Sequence, residues 1–198
     1  TGASIEKDLD TLAEISVDQV TYYPLMVSDS TRRQVEKKLG SVNEGREYGY
    51  YRLISRRLLA ECRFSSAWCF SRKTAEAEKI VDEYVVDYDD YAGLGSGSIG
   101  YLAGVCYANT FNIEDYIDRV GKGRIPVTAS RTFGIRERIH YDFLMKLFGG
   151  SLDLVALGNK YGVSLFRYLW LPAFFFRLVG GIERRDDRLF LTERGRYY

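Results

Sequence analysis

The chain has 198 residues, enough for one large domain or two small ones with a real core. It is 46 % hydrophobic and 28 % charged, with 28 Lys+Arg against 27 Asp+Glu and a formal net charge of +1. Those figures exclude a disordered chain, a collagen-like repeat, a polybasic nucleic-acid coat and an acidic tail.

Ser4 is expected to cap a helix whose Ile5, Leu9 and Leu12 share one face. Val17 to Tyr23 reads as a strand closed by Pro24. Met26 to Gly45 is polar and is expected to hold a loop and a short charged helix. Glu47 to Cys62 predicts a helix with Tyr51, Ile54, Leu58 and Cys62 on an apolar stripe, and with Arg52, Arg56 and Arg63 on a second stripe. Glu83 to Tyr88 and Tyr101 to Tyr107 read as strands, on either side of a glycine-rich run. Asn112 to Val120 predicts a short helix, and Gly121 to Pro126 a linker-like break. Beyond the break, Arg131 to Phe148, Leu152 to Tyr161 and Leu165 to Val179 predict helices. The last of these, even extended to Gly181, is interrupted by Arg167, Pro172 and Arg177, whereas a bilayer span needs about 20 mostly apolar residues. Ile182 to Arg185 and Leu189 to Leu191 predict a two-stranded ribbon around Asp186-Asp187. A domain boundary is placed near Gly123 to Val127, dividing residues 1–125 from 126–198. Because Thr1 is no initiator Met, a fragment or processed chain is expected.

The near-zero charge hides two opposed blocks. Arg46 to Lys73 holds seven cations against two acids, and Glu76 to Asp90 holds seven acids against Lys79. Solvated surface faces explain such runs, and so does an arginine face that grips carboxylates. The 29 aromatic residues include 16 Tyr, whose flat face and hydroxyl suit planar-ligand pockets, interfaces or a half-buried sheet.

Cys62, Cys69 and Cys106 are an odd set with no zinc or cluster spacing, so buried structural thiols and no metal site are expected. His140 is the single histidine, which leaves little room for a His-based triad or metal site. Its spacing with Ile139, Phe143 and Leu144 suits a core or groove histidine.

Gly95-x-Gly97-x-x-Gly100 matches a dinucleotide fingerprint as a pattern but leads into a strand rather than a helix. No Gly-Lys-Ser/Thr follows, so the run is no phosphate P-loop. Two uses remain: close approach of backbone to a ligand, or a tight strand-to-strand crossing.

The string Asp87-Tyr88-Asp89-Asp90-Tyr91-Ala92-Gly93-Leu94-Gly95-Ser96-Gly97-Ser98-Ile99-Gly100 resembles the "GLG-x-G/S-A" element of the oxygen-independent coproporphyrinogen III oxidase family, which are radical S-adenosylmethionine proteins. Thr1-Gly2-Ala3-Ser4, the helix with Asp8 and Leu9, and Asp18 to Leu25 look like that family's later barrel units. Ile135-Arg136-Glu137-Arg138-Ile139 and Leu191-Thr192-Glu193-Arg194-Gly195 resemble its C-terminal domain, which closes with an "LT-x-x-G" turn. The resemblance runs over the whole chain and implies an α/β fold. That fold is the end of an open, partial barrel with an added sheet, followed by a helical, winged-helix-like domain.

The family's C-x3-C-x2-C cluster motif is absent. In the family it lies upstream of the part that Thr1 resembles. The resemblance therefore implies a C-terminal portion, inactive alone, of a cytoplasmic parent that would hold S-adenosylmethionine and a 4Fe-4S cluster. In the family a radical derived from the cofactor takes hydrogen from a propionate side chain, and loss of carbon dioxide leaves a vinyl group. By position, Ile99 matches a residue that packs by S-adenosylmethionine, Met26 falls near another, and Gly93, Gly95 and Gly97 would let the sheet edge approach. A tetrapyrrole partner, flat and polyanionic, suits Tyr22 and Tyr23, Arg52 and Arg56 beside Arg63, and Arg131 and Arg136. No catalytic residue is assigned.

The family's haem-chaperone branch carries a Ser-x-His-Asn element, and the corresponding Ser66 to Arg72 has no His. Relatives that open or methylate the haem ring stay open, as do an accessory interaction role and the oligomeric state. Helices before a ribbon also fit a winged-helix nucleic-acid binder, but Gly181 to Tyr198 carries five arginines against four acids. No nucleic-acid partner is expected.

Overall fold

The computed structural model describes residues 1–23, 29–40, 43–74, 86 and 88–197. Packing divides the chain into two compact units, Thr1–Asp82 with Arg196–Tyr198, and Glu83–Gly195.

The first unit holds α1 (Gly2–Ile15), β1 (Gln19–Thr21), α2 (Asp29–Leu39), α3 (Glu44–Leu58), β2 (Cys62–Phe64) and β3 (Cys69–Arg72). The Thr1 hydroxyl accepts from the Ser4 amide, so the cap of α1 lies three residues before the expected one. Ser16, in the left-handed region at φ 58°, ends it. The strands form an antiparallel sheet in the order β1-β3-β2. Central β3 buries Cys69, Phe70 and Ser71 in succession, so it lacks the alternation that marks a one-faced strand. Leu9, Ile54, Cys62 and Phe70 form the core. The helix expected to reach Cys62 stops at Leu58, and Cys62 and Arg63 belong to β2. Tyr51 is buried, and its hydroxyl donates to the Ala67 carbonyl at 3.0 Å. Arg196 lies over the Phe64 ring at 4.3 Å.

The second unit carries β4 (Ile99–Leu102), β5 (Val105–Asn109), α4 (Ile113–Gly121), β6 (Val127–Thr132), α5 (Ile135–Phe148), β7 (Ser151–Asp153), α6 (Leu154–Tyr161), α7 (Phe166–Leu178), β8 (Ile182–Arg185) and β9 (Arg188–Leu191); α8 (Glu193–Tyr197) ends the chain. Three expectations change here. Tyr101 to Tyr107 is not one strand but the β4–β5 hairpin, turning on Ala103 at φ 49° and Gly104 at φ 84°. Arg131 lies on β6, not on a helix, because β6 completes the sheet β4-β5-β6 before α5 starts at Ile135. Leu152 is in β7, and α6 begins only after Asp153, whose carboxylate accepts from the Ala156 amide at 2.9 Å. The ribbon around Asp186-Asp187 is present as β8–β9 and joins β7 in the order β7-β9-β8. The segment Gly123 to Pro126 joins α4 to β6 inside this unit. The strand expected over Glu83 to Tyr88 lies outside the described residues except at Val86 and Tyr88.

α5, α6 and α7 enclose a core of Ile139, Phe143, Leu147, Leu157 and Leu169, closed by Leu152, Ile182 and Leu189 from the sheet. Pro172 sits inside α7 and has no amide hydrogen, which removes the helical donor for the Tyr168 carbonyl four residues earlier. The His140 ring Nε2 lies 3.0 Å from that carbonyl and supplies the missing hydrogen bond. The single histidine is thus a repair for a proline in a neighbouring helix.

Among the described residues every strand pairing is antiparallel, in three small sheets, and no closed barrel forms. No described helix is long and apolar enough to cross a membrane.

Candidate functional site

The glycine run forms a closed loop rather than a simple crossing. Tyr91 and Tyr101 exchange two backbone hydrogen bonds, 2.8 and 2.9 Å, and pinch its base. Inside, the Asn109 side-chain amide lies 3.1 Å from the carbonyls of Gly93 and Gly95 and 2.9 Å from the Ser98 hydroxyl. Two N–H hydrogens serve three acceptors. A register shift at Ala108/Asn109 turns this side chain inward from the end of β5. The Tyr107 hydroxyl accepts from the Gly93 amide and the Tyr116 hydroxyl from the Gly95 amide, both at 3.0 Å. Gly97 N and Ser96 Oγ both donate to the Thr110 carbonyl.

The glycines are needed for different reasons. A Cβ on Gly93 would lie 2.5 Å from the Ile99 carbonyl oxygen, and one on Gly100 would lie 2.2 Å from the Tyr107 ring that covers it. Gly97 has φ +72° with the Phe111 ring against it. Gly95, at φ +103°, has open space where its side chain would be. The amides of Gly93, Gly95 and Gly97 are used within the unit, so the loop offers its neighbours side chains more than main chain. Leu94 is 86 % exposed, Phe111 76 % and Ile99 52 %. The hydrogen-bonded loop therefore leaves these apolar side chains open to their surroundings.

The base of the loop is fixed to α5. Tyr101 stacks on Tyr141 with ring centres 4.3 Å apart, and the Tyr141 and Tyr91 hydroxyls are 3.0 Å apart. Burial, then the hydrogen bond to Tyr91, pushes the Tyr141 phenol far above its usual range, so it stays a neutral partner. Below lies a polar knot. The Lys160 ammonium contacts buried Asp142 at 2.7 Å and Asp89 at 2.9 Å, and the Tyr161 hydroxyl donates to Asp142 at 2.8 Å. Burial works against the Lys160 charge, but hydrogen bonds to Asp142 and Asp89 overcome it and raise its pKa. The hydrogen bond from Lys160 holds Asp89 below the usual carboxylate range. Asn109, Tyr107, Tyr116 and this knot escaped the sequence reading. The one available signal was Gly100 facing Tyr107 across a hairpin, an aromatic ring covering a glycine.

The remaining expected residues fall in separate places. Met26 lies outside the described residues. In the first unit, Tyr22 packs against the core and Tyr23 is exposed. Burial, then the Asp8 charge, raises the Tyr22 phenol. Arg52 lies over the Tyr48 ring at 5.9 Å. Arg56 borders a cavity of about 350 Å³ with Leu9, Leu12, Val20, Arg57 and Arg72. There Arg57 pairs with Asp10 and Arg72 with Glu61. In the second unit, Arg131 pairs with Glu137, and Arg136 is exposed at the start of α5. Cys62 and Cys69 are buried, Cys106 is half-buried, and none of the described residues forms a group of three possible metal ligands.

No family model matches the sequence, and no curated protein matches it. The fold, however, has a counterpart among solved structures. It is similar to coproporphyrinogen III oxidase (HemN) from Escherichia coli, described as a radical SAM enzyme, with a TM-score of 0.74 and 14 % sequence identity. The match covers 100 % of this chain and 49 % of that one, so the chain spans about half the length of HemN. At that identity the likeness is one of fold.

Proposed function

We propose that this chain is the C-terminal half of a radical S-adenosylmethionine enzyme that decarboxylates tetrapyrrole propionates to vinyl groups in haem biosynthesis. The observation that carries the reading is the fold likeness to HemN over the whole chain, which is independent of the glycine-run resemblance. In this reading residues 1–125 complete the barrel side and residues 126–198 form a winged-helix-like cap.

The residues present do not fit a 4Fe-4S cluster. Two of the three thiols are buried in the first unit and the third lies on β5 in the other, so no step is assigned to a cluster here. The glycine loop does suit an adenosyl group, because Leu94 and Ile99 offer an apolar surface on a backbone that needs no reorganisation. Bound there, S-adenosylmethionine would supply hydrogen-abstraction chemistry once reduced by one electron from the parent's cluster; the loop's part would be to orient it. Met26 is a further contact in this reading. Arg56, with no partner among the described residues, is the best-placed cation for a propionate in the first unit. Arg52, Arg131 and Arg136 are further candidates, with Tyr22 and Tyr23 as flat apolar surface.

A nucleic-acid role is disfavoured by α7. In a winged helix the corresponding helix enters the groove, and here it shows Phe166, Trp170 and Phe174 to its surroundings. The test is anaerobic reconstitution of the full-length protein containing this chain. A 4Fe-4S absorption band, cleavage of S-adenosylmethionine to 5′-deoxyadenosine and turnover of coproporphyrinogen III are expected. Absence of both band and cleavage overturns the enzyme reading. Cleavage without turnover moves the substrate to another haem-pathway tetrapyrrole.

A further inference from the structure

A cavity of about 910 Å³ opens between α6, α7 and the β8–β9 hairpin, and it shares no residue with the glycine loop. Its floor is apolar, with Leu169, Ile182 and Leu189 all buried. Along one wall Phe166, Trp170 and Phe174 follow at i, i+4 and i+8, so they form one row on α7. Gly158 and Gly162 of the α6 side leave room opposite. The three aromatic residues are 77 %, 53 % and 56 % exposed. Burying each would be worth roughly 1.5–3 kcal/mol, and folding leaves that unused. The volume lies in the range of small-molecule sites, about 300–1,000 Å³.

Charge decides what kind of molecule fits. Arg177 continues the aromatic row at i+11, and its side chain has no hydrogen bond or ion pair among the described residues. The neighbouring Arg184 is tied down, its Nε donating to the Asp186 carbonyl at 2.8 Å and its Nη2 lying 3.8 Å from Asp187. The site is thus an apolar row about 12 Å long, at 1.5 Å per helical residue, with the Arg177 guanidinium one turn further on, about 16 Å from its start.

We infer that this cavity binds an elongated amphipathic carboxylate, its apolar chain along Phe166, Trp170 and Phe174 and its carboxylate on Arg177. A guanidinium fork matches a carboxylate geometrically, and Arg177 is exposed at the end of the row, where a carboxylate can reach it. A cationic headgroup would meet like charge, and a neutral chain would make no use of Arg177. The occupant is a free long-chain carboxylate rather than a membrane surface, because the row lines a cavity together with the buried Leu169, Ile182 and Leu189.

Dodecanoate, kept below its micelle concentration and titrated into the 198-residue chain, tests this by calorimetry and Trp170 emission. One-site saturation with a blue-shifted emission is expected, with dodecyltrimethylammonium binding at least tenfold more weakly. Arg177→Gln should cost dodecanoate about tenfold in affinity without weakening the ammonium probe. Gly158→Leu should fill the cavity and abolish binding; Arg177→Gln keeps the test decisive if that variant does not fold. Absence of one-site saturation, equal affinity for the two headgroups, or an unchanged affinity in Arg177→Gln overturns the inference. Binding to anionic vesicles without saturable binding of free dodecanoate overturns it as well.

Discussion

Asn109 holds the glycine loop with a single amide. Asn109→Ala removes the donor to the Gly93 carbonyl and to the Ser98 hydroxyl oxygen, and one of the donors to the Gly95 carbonyl, which keeps the Ser98 hydroxyl. The expected cost is about 2–3 kcal/mol in chemical denaturation. Faster amide exchange at Gly93 to Ser98 should accompany it. Gly93→Ala forces a carbon onto the Ile99 carbonyl and is expected to cost about 3 kcal/mol, the upper end of overpacking. The glycine spacing was legible in the sequence, but the reason for each glycine was not. Asn109 is 14 residues from Gly95 along the chain, and only the hairpin and its bulge bring them together.

The Lys160–Asp89 contact makes a pH prediction at the same scale. The Asp89 carboxyl is held below its ordinary 3.8, so its stabilising contribution is complete above about pH 4 and is lost as pH falls through the depressed value. The Lys160 ammonium is held above its ordinary 10.5, so its contribution is complete below about pH 10.5 and is lost as pH rises through the raised value. The melting temperature of the second unit should therefore be flattest between those limits. Asp89→Asn should soften the acid limb; an acid limb identical to wild type would contradict the assignment.

Elements respond to local chemistry that periodicity does not report. α7 tolerates Pro172 because His140 of α5 bonds the carbonyl the proline leaves open. His140→Ala should cost about 1–3 kcal/mol by orphaning that carbonyl. Pro172→Ala restores the helical donor, so in a double-mutant cycle it should remove most of the His140→Ala loss; additive losses would refute the pairing. In α3, Gly49 is exposed, and a methyl group there would meet nothing within 4 Å, so Gly49→Ala should stabilise by about 0.5–1 kcal/mol in thermal melts. Apolar spacing identified α1 and α3 from the sequence, and α4 and α7 were also expected as helices. The expected helices began too early, at Arg131 and Leu152, because Val127 to Thr132 and Ser151 to Asp153 are short strands whose partners lie elsewhere in the chain. The β2–β3 hairpin was hidden for another reason, as its central strand is buried on both faces and flanked by arginines.

For the whole molecule, the order of motifs along the chain was more informative than any one of them. The glycine run alone left a ligand loop and a strand crossing open, whereas the folded chain matches half of HemN throughout its length. What ties this fold to a function is the proposal that the shelf of Leu94 and Ile99 receives an adenosyl ligand. It is tested most directly by the KM for S-adenosylmethionine of the reconstituted full-length protein carrying Ile99→Asp, with the cluster absorption measured alongside. A charged side chain on the shelf is predicted to raise that KM about tenfold, equivalent to about 1.4 kcal/mol, with the absorption unchanged. An unaltered KM, with the variant folded and the cluster intact, would contradict the claim.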